Sequence, residues 1–587
     1  MTLLILLVLC SLSACSDRHP EAAPHTVSST VNASTTGTGK ADTANPSDAA
    51  DSSGSGNTLP AGHPPAAPLS ELAAKVKPVR FTAFVNYDWY TAPDWKSSPH
   101  SRWITDHLKV TLLPVPSGGA AAQKLNAMIV SDQLPDVLVM DRGKDVERLQ
   151  KAGKLVALDP YLESYPEFAR MIGEDTLNML RSEDGRLYQI PNWYINGSGG
   201  SGNAGYLVEK KIHRALGSPR LETWDDLEAY LKQVQKNYPD VVPIDFGETR
   251  DSVDIQMIGM LYSGAAENRT PTFIAPGSGQ IFGVPAGSRL TSVYRDPAFR
   301  ETLLLAGRLV RQGLTSPDLL TGTRDQVLEK LKSGRIAVFG AYDAVVEGIG
   351  REANNQLSAK DPLDGYELIW PVHREGVDPG KVYPSGYNTL GWNVNVITTS
   401  ASDPEATFSY MNWATSPEGQ RILFFGPEGL FYDTVKDEIP IPNDAYIGRD
   451  LKRYDDLKIG EFNWYGNTSY IDAAKARREK LLPAGARDWT TLGQANITFR
   501  TSMNLTEFSN LDPAPASEEG LILQRLRDQY AQVIPRMIFA ASDEELLELL
   551  KEADKEATDI GYDRLLAWKT EVWRGNLKKI RDYSPEQ

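Results

Sequence analysis

The chain has 587 residues, 61 of them Lys or Arg and 77 Asp or Glu, for a formal net charge of -16. At roughly 150 residues per domain this length predicts two to four folded units, and 41% hydrophobic with 24% charged residues excludes wholesale disorder and a multispan membrane protein. So acidic a surface repels a phosphate backbone, and nucleic acid is not an expected partner.

The first feature in chain order is the apolar run Leu3 to Leu12. It has the length of a signal-peptide core and is too short to span a bilayer as a helix. It ends in Leu12-Ser13-Ala14-Cys15, which resembles the bacterial lipobox. Residues 1–14 are then a lipoprotein signal peptide, and Cys15 is the lipidation site, carrying the diacylglycerol that holds the mature chain at the cell membrane outside the cytoplasm. No Lys or Arg precedes the run, as a signal peptide normally requires, so the true start is expected a few residues upstream. Cys10 and Cys15 are the two cysteines, and only Cys15 survives cleavage, which leaves the folded part without a disulfide or a cysteine metal ligand.

Residues 15–68 form the lipidated cysteine and a tether. Beyond Val27, Val31 and Leu59 this stretch offers no large apolar side chain to bury. As a flexible coil it reaches roughly 40 Å. From Pro78 short apolar runs alternate with amphipathic stretches, which predicts an α/β fold with mainly parallel strands covered by helices. Val79 to Val85 reads as a first strand, Val110 to Leu113 as a second, Gln123 to Val130 as a helix and Val137 to Met140 as a buried third strand. Ligands bind outside the carboxyl ends of strands in such sheets, so Asp141 and the cluster Tyr87-Asp88-Trp89-Tyr90 are expected to line one cleft.

Several further segments carry a resemblance. They are Gly185 to Pro191, Leu221-Glu222-Thr223-Trp224-Asp225-Asp226-Leu227, Ser333 to Tyr342, Pro404-Glu405-Ala406 leading into Phe408 to Ala414, and Ser416-Pro417-Glu418-Gly419. In this order, behind a lipobox, the chain resembles the extracellular solute-binding proteins, family 1, that serve ABC importers of sugars, and most of all the large oligosaccharide-binding lipoproteins of Gram-positive bacteria. The resemblance implies a two-lobe periplasmic-binding-protein-like fold of type II, whose lobes are joined by crossovers and close like a hinge. It assigns 79–191 and 392–430 to the N-terminal lobe, and 192–391 and 431–587 to the C-terminal lobe. It also implies a monomer that takes an oligosaccharide or another small solute, delivers it to ABC permease subunits and touches the membrane only through its lipid.

Sugar faces stack on flat aromatics while their hydroxyls need polar partners. Candidate ligand residues are therefore Asp88, Trp89, Tyr90 and Asp141 at strand ends, Trp193 and Tyr194 past the outgoing crossing, and Tyr342 and Asp343 after the strand from Ile336. Tyr387 and Trp392 on the return crossing complete the set, with Trp464 further along. Trp224 and Trp413 lie in helical patterns and are expected in the core. Gly197-Ser198-Gly199-Gly200-Ser201-Gly202 matches G-x-G-x-x-G, but no apolar strand leads into it and no helix follows at once, so a cleft-mouth loop is expected rather than a dinucleotide site. The seven histidines are scattered, and Ser182-Glu183-Asp184-Gly185 has too few oxygens for a calcium loop, so neither a metal nor a cofactor is expected. Delivery needs no catalytic residue. Two alternatives stay open: a binder of peptide or another solute on the same fold, and a secreted carbohydrate-active enzyme using paired carboxylates.

Overall fold

A computed structural model describes residues 69–196, 200–247, 254–277, 279–342, 344, 354, 356–358, 360–361, 363–447, 456–483 and 487–581. Cys15, the tether, Asp343 and the first part of the G-x-G-x-x-G match lie outside the described residues.

The strands follow in chain order as β1 (Val79–Val85), β2 (Val110–Val115), β3 (Val137–Asp141), β4 (Ile190–Asn192), β5 (Gly205–Glu209) and β6 (Val242–Phe246). After the hairpin β7 (Val284–Ala286) and β8 (Arg289–Thr291) come β9 (Ile336–Ala341), β10 (Tyr366–Ile369), β11 (Ser385–Tyr387) and β12 (Asn393–Ile397). A second hairpin, β13 (Tyr432–Lys436) and β14 (Ile439–Pro442), precedes β15 (Ser502–Asn504). Two sheets dominate, ordered β2-β1-β3-β12-β4 and β10-β5-β9-β6.

Local chemistry sets these elements. β1 buries Phe81, Ala83, Phe84 and Val85. The helix Pro99–Leu108 starts with Ser98 accepting from the Ser101 N–H and stops at Lys109, whose φ of 59° is left-handed. The helix Trp224–Asn237 opens with a reciprocal capping box between Thr223 and Asp226 and buries Trp224, Leu227, Tyr230, Leu231 and Val234, a helical spacing that faces one core. Trp224 and Trp413 are core residues, one in each lobe.

The expectation of mainly parallel strands is corrected. β1 pairs in parallel with β2 and β3, and β6 with β9. β12 runs antiparallel to β3 and β4, and β5 antiparallel to β9 and β10. The reason lies in the crossings. Each strand that arrives from the other lobe enters at the carboxyl ends of its neighbours, so Asn393 opens β12 opposite Asp141, and Gly205 opens β5 opposite Ala341. Both sheets thus turn their ligand-facing edges to the same set of crossings.

Each lobe has its own core, one around β1, β3 and β12 and one around β6, the helix Pro297–Arg311 and the helices of the C-terminal third. Assigning 431–587 wholly to the second lobe is also corrected. Phe462, Trp464 and Tyr465 pack into the first core, and Tyr432, Ile471 and Ala474 cluster with Phe424 and Phe425. The crossings are tied to one another: β11 pairs in parallel with β15, the Thr389 N–H donates to Thr506 Oγ1 at 2.8 Å, and the Ile195 N–H to the Thr389 carbonyl at 3.1 Å. Glycines allow this approach. A Cβ on Gly391, which has φ +66°, would collide with the Asn192 carbonyl, and one on Gly202 with the Ser385 side chain.

Candidate solute-binding cleft

β1 ends at Val85, and the Asn86 N–H donates to the Val139 carbonyl at 2.8 Å, which directs the next residues over the end of β3. There Tyr87 forms the centre of an aromatic arc. Its ring stacks on Trp89 at 5.4 Å and leans on Trp392 at 5.1 Å. Trp89 meets Tyr90 edge-on at 5.9 Å, and Tyr90 meets Trp464 edge-on at 5.9 Å. The arc grades from solvent to core, with Trp89 63% exposed and Trp464 only 6%. Ring pairs in such geometries attract one another beyond the area they bury.

Asp141, at the end of β3, accepts a hydrogen bond from Tyr87 Oη at 2.6 Å. Burial of the phenol and then the charge of Asp141 push the Tyr87 pKa well above its ordinary value, so Tyr87 stays protonated and donates. Arg142 was not legible as a functional residue. Its Nη1 donates to the carbonyls of Leu390, at 3.2 Å, and Gly391, pinning the return crossing that presents Trp392. Burial lowers its pKa to about 10, which still leaves it charged at neutral pH. Asn395 Nδ2 donates to the Trp464 carbonyl at 2.5 Å and the Gly466 N–H to Asn192 Oδ1 at 2.6 Å, so amide cross-ties hold the 462–466 segment under the arc.

The structure thus brings Trp89, Tyr90, Asp141, Trp392 and Trp464 together around Tyr87. Asp88 is engaged elsewhere. Its Oδ1 accepts the Ala121 N–H at 2.6 Å, capping the helix Ala121–Ser131, whose own preceding residue, Ala120, cannot. The side chain is otherwise exposed. Trp193 takes a left-handed φ of 59° and packs edge-on against Phe424 at 5.3 Å. Tyr194 is corrected from ligand candidate to core residue, because it is 0% exposed and lies in the first core. Tyr342, at the end of β9, is half-buried, its N–H donating to Gln256 Oε1 at 3.1 Å and its hydroxyl lying against Gly259. Tyr387 is half-buried on β11, within the crossings. Among the described residues no group of three or more His, Cys, Asp or Glu is arranged to hold a metal ion, and no helix is long and apolar enough to cross a membrane.

Two lobes, each turning strand ends toward shared crossings, with an aromatic arc on one wall, define a hinged solute-binding protein. The family model described as bacterial extracellular solute-binding protein matches residues 105–429, more than half of the chain, and the chain belongs to that family. It is therefore a bacterial solute-binding protein that works outside the cytoplasm. Solved structures with the same fold include the HMO-binding ABC-transporter-associated solute-binding protein of Bifidobacterium longum infantis, at 15% identity and a TM-score of 0.62 over 86% of this chain and 99% of that one. The S. pneumoniae ABC-transporter substrate-binding protein FusA in complex with kestose matches at 14% identity and a TM-score of 0.55, over 85% and 99%. The alginate-binding protein AlgQ2 matches at 16% identity and a TM-score of 0.53, over 85% and 98%. At these identities the likeness establishes the fold. No curated protein matches the chain.

Proposed function

We propose that this protein is a lipid-anchored receptor that captures an oligosaccharide between its lobes and hands it to the permease of an ABC importer. The observation that carries the reading is the ring cluster at the ends of β1 and β3, in which exposed Trp89 stacks on half-buried Tyr87 beside half-buried Trp392, bordered by a carboxylate. A pyranose or furanose ring places its C–H face on such a surface and its hydroxyls against the polar rim. Two proteins of the same fold are named as binding HMO and alginate, and a third was solved in complex with kestose, which supports a sugar over a peptide. The crossings supply the hinge, and a solute that touches both lobes favours the closed arrangement by its differential affinity alone, so no catalytic group is required. The lipid on Cys15 and the tether of residues 16–68 keep the receptor near its permease, with one copy sufficient for capture.

The test is thermal unfolding of the full chain in a detergent without a sugar headgroup, against panels of oligosaccharides and peptides. A concentration-dependent rise in Tm with one sugar class, with the sugar recovered unchanged by chromatography, is the expected result. A rise with peptides alone, or consumption of the sugar, overturns it. Mass spectrometry of the N-terminus tests the anchor: a diacylglycerol on Cys15 is expected.

A further inference from the structure

Proteins of this fold bind chemically different saccharides, alginate and kestose among them, so the fold leaves the charge class of the cargo open. Alginate is a polymer of uronates, whereas kestose carries hydroxyls only.

Three observations bear on that rim. Asp141 is exposed at the end of β3, and its Oδ1 accepts from Tyr87 Oη at 2.6 Å. A carboxylate accepts up to about four hydrogen bonds, so Asp141 keeps acceptor capacity toward a hydroxyl lying on the arc. The adjacent cation is bonded elsewhere: Arg142 Nη1 is committed to the Leu390 and Gly391 carbonyls, so its charge lies near Asp141 without forming an ion pair with it among the described residues. At the far end of the arc a second carboxyl, Glu461, lies beside Tyr90 and is half-buried, with the exposed Lys458 as its nearby cation. A solute ring on exposed Trp89 thus lies on a wall whose exposed carboxylate is Asp141, within a protein of net charge -16.

We infer that the cleft selects neutral, hydroxyl-rich oligosaccharides and rejects uronate-bearing ones, with Asp141 as the specificity-determining residue. Hydroxyl donors satisfy the Asp141 carboxylate by charge-assisted hydrogen bonds. A uronate carboxylate at the same position places like charges together and leaves both short of donors. The inference rests on the carbohydrate reading above.

The test uses two series that differ in one group: oligogalacturonides of three to five residues and their carboxyl-reduced counterparts. Both are titrated calorimetrically into the full protein in a detergent without a sugar headgroup, at low and high salt. The reduced series is expected to bind at least about tenfold more tightly than the uronates, the gap shrinking at high salt. Asp141→Asn is expected to narrow the gap several-fold, because it keeps an acceptor for Tyr87 while removing the charge. Tyr87→Phe, which leaves the carboxylate in place, is expected to preserve it. Unfolding temperatures of both variants verify that they fold. Uronates binding as tightly as the neutral series, or a gap that Asp141→Asn leaves unchanged, overturns the inference while the carbohydrate reading stands. If neither series binds, and no other sugar in the earlier panel does, both fall together.

Discussion

The two lobes bury polar chemistry in opposite ways. The first lobe is held at its cleft edge mostly by amide and imidazole groups, Asn395 on the Trp464 carbonyl, Asn192 on the Gly466 N–H, and His100, whose Nε2 lies 2.9 Å from the Glu461 carbonyl, with the Arg142 guanidinium on the Leu390 and Gly391 carbonyls as the charged exception. The second lobe uses charge. Buried Asp245 sits 3.4 Å from Lys330, which also pairs with Asp318 at 2.6 Å; Asp296 pairs with Arg269 at 3.3 Å and accepts from Tyr262; and buried Lys569 donates to the Ile281 carbonyl at 2.7 Å. Amide cross-ties and ring stacking support the first-lobe surface, together with one guanidinium, Arg142, that stays charged at neutral pH. Ion pairs inside the second lobe fix its core against charge loss less evenly, since breaking a buried pair leaves one partner uncompensated.

The sharpest way to break this comparison is to remove the buried base of the arc. Trp464→Ala empties a site that is 6% exposed between Tyr90, Phe462 and the first core, and is expected to cost about 3–5 kcal/mol of stability. Chemical denaturation followed by probes in each lobe would show the first lobe unfolding early and the second little changed. Next come the crossings. Gly391→Ala forces a Cβ against the Asn192 backbone at φ +66°, whereas Gly202→Ala meets the Cβ and Oγ of Ser385 at 2.5 Å without the strain of a left-handed backbone. The first is expected to cost about 2–3 kcal/mol and the second about half that. Equal losses would mean that the two crossings are under the same constraint.

The smallest effect is the response to pH, and it differs in sign between the lobes. Burial lowers His100 from 6.5 to about 4, so its contribution is present above pH 6.5 and is lost as pH falls through 4. Burial raises Asp245 from 3.8 to about 6, against the pull of Lys330, so its contribution is full below pH 3.8 and is lost as pH rises through 6. Between pH 6.5 and 4, acidification therefore weakens the first lobe and strengthens the second through these two groups. Scanning calorimetry is expected to show the two unfolding transitions shifting in opposite directions over this window. Asp245→Asn should flatten only the second-lobe transition, and a uniform shift of both would contradict the contrast.

Legibility in the sequence followed the range of the interaction. β1, β2, β3, β9 and the helices Ala121–Ser131 and Trp224–Asn237 are written in local apolar patterns and caps, and the strand ends led directly to Trp89, Tyr90 and Asp141. The antiparallel entry of β5 and β12 is a property of crossings, which no single strand records. The capping role of Asp88 appears only when a helix beginning 33 residues later folds against it. Tyr194 follows a left-handed residue, Trp193, and turns into the core. Trp464 was legible as an aromatic in an irregular segment, but its place in the first lobe depends on Asn395, 69 residues away.

The central claim is that solute binds on the arc around Tyr87, and Trp89 tests it most directly because it is 63% exposed and supports little of the fold. Calorimetric titration of the full protein and of Trp89→Ala, with the sugar class found in the thermal panel, is the measurement. The account predicts saturable binding that weakens at least about tenfold in Trp89→Ala, with unfolding shifted by no more than about 0.5 kcal/mol. Unchanged affinity in a folded Trp89→Ala variant would contradict it.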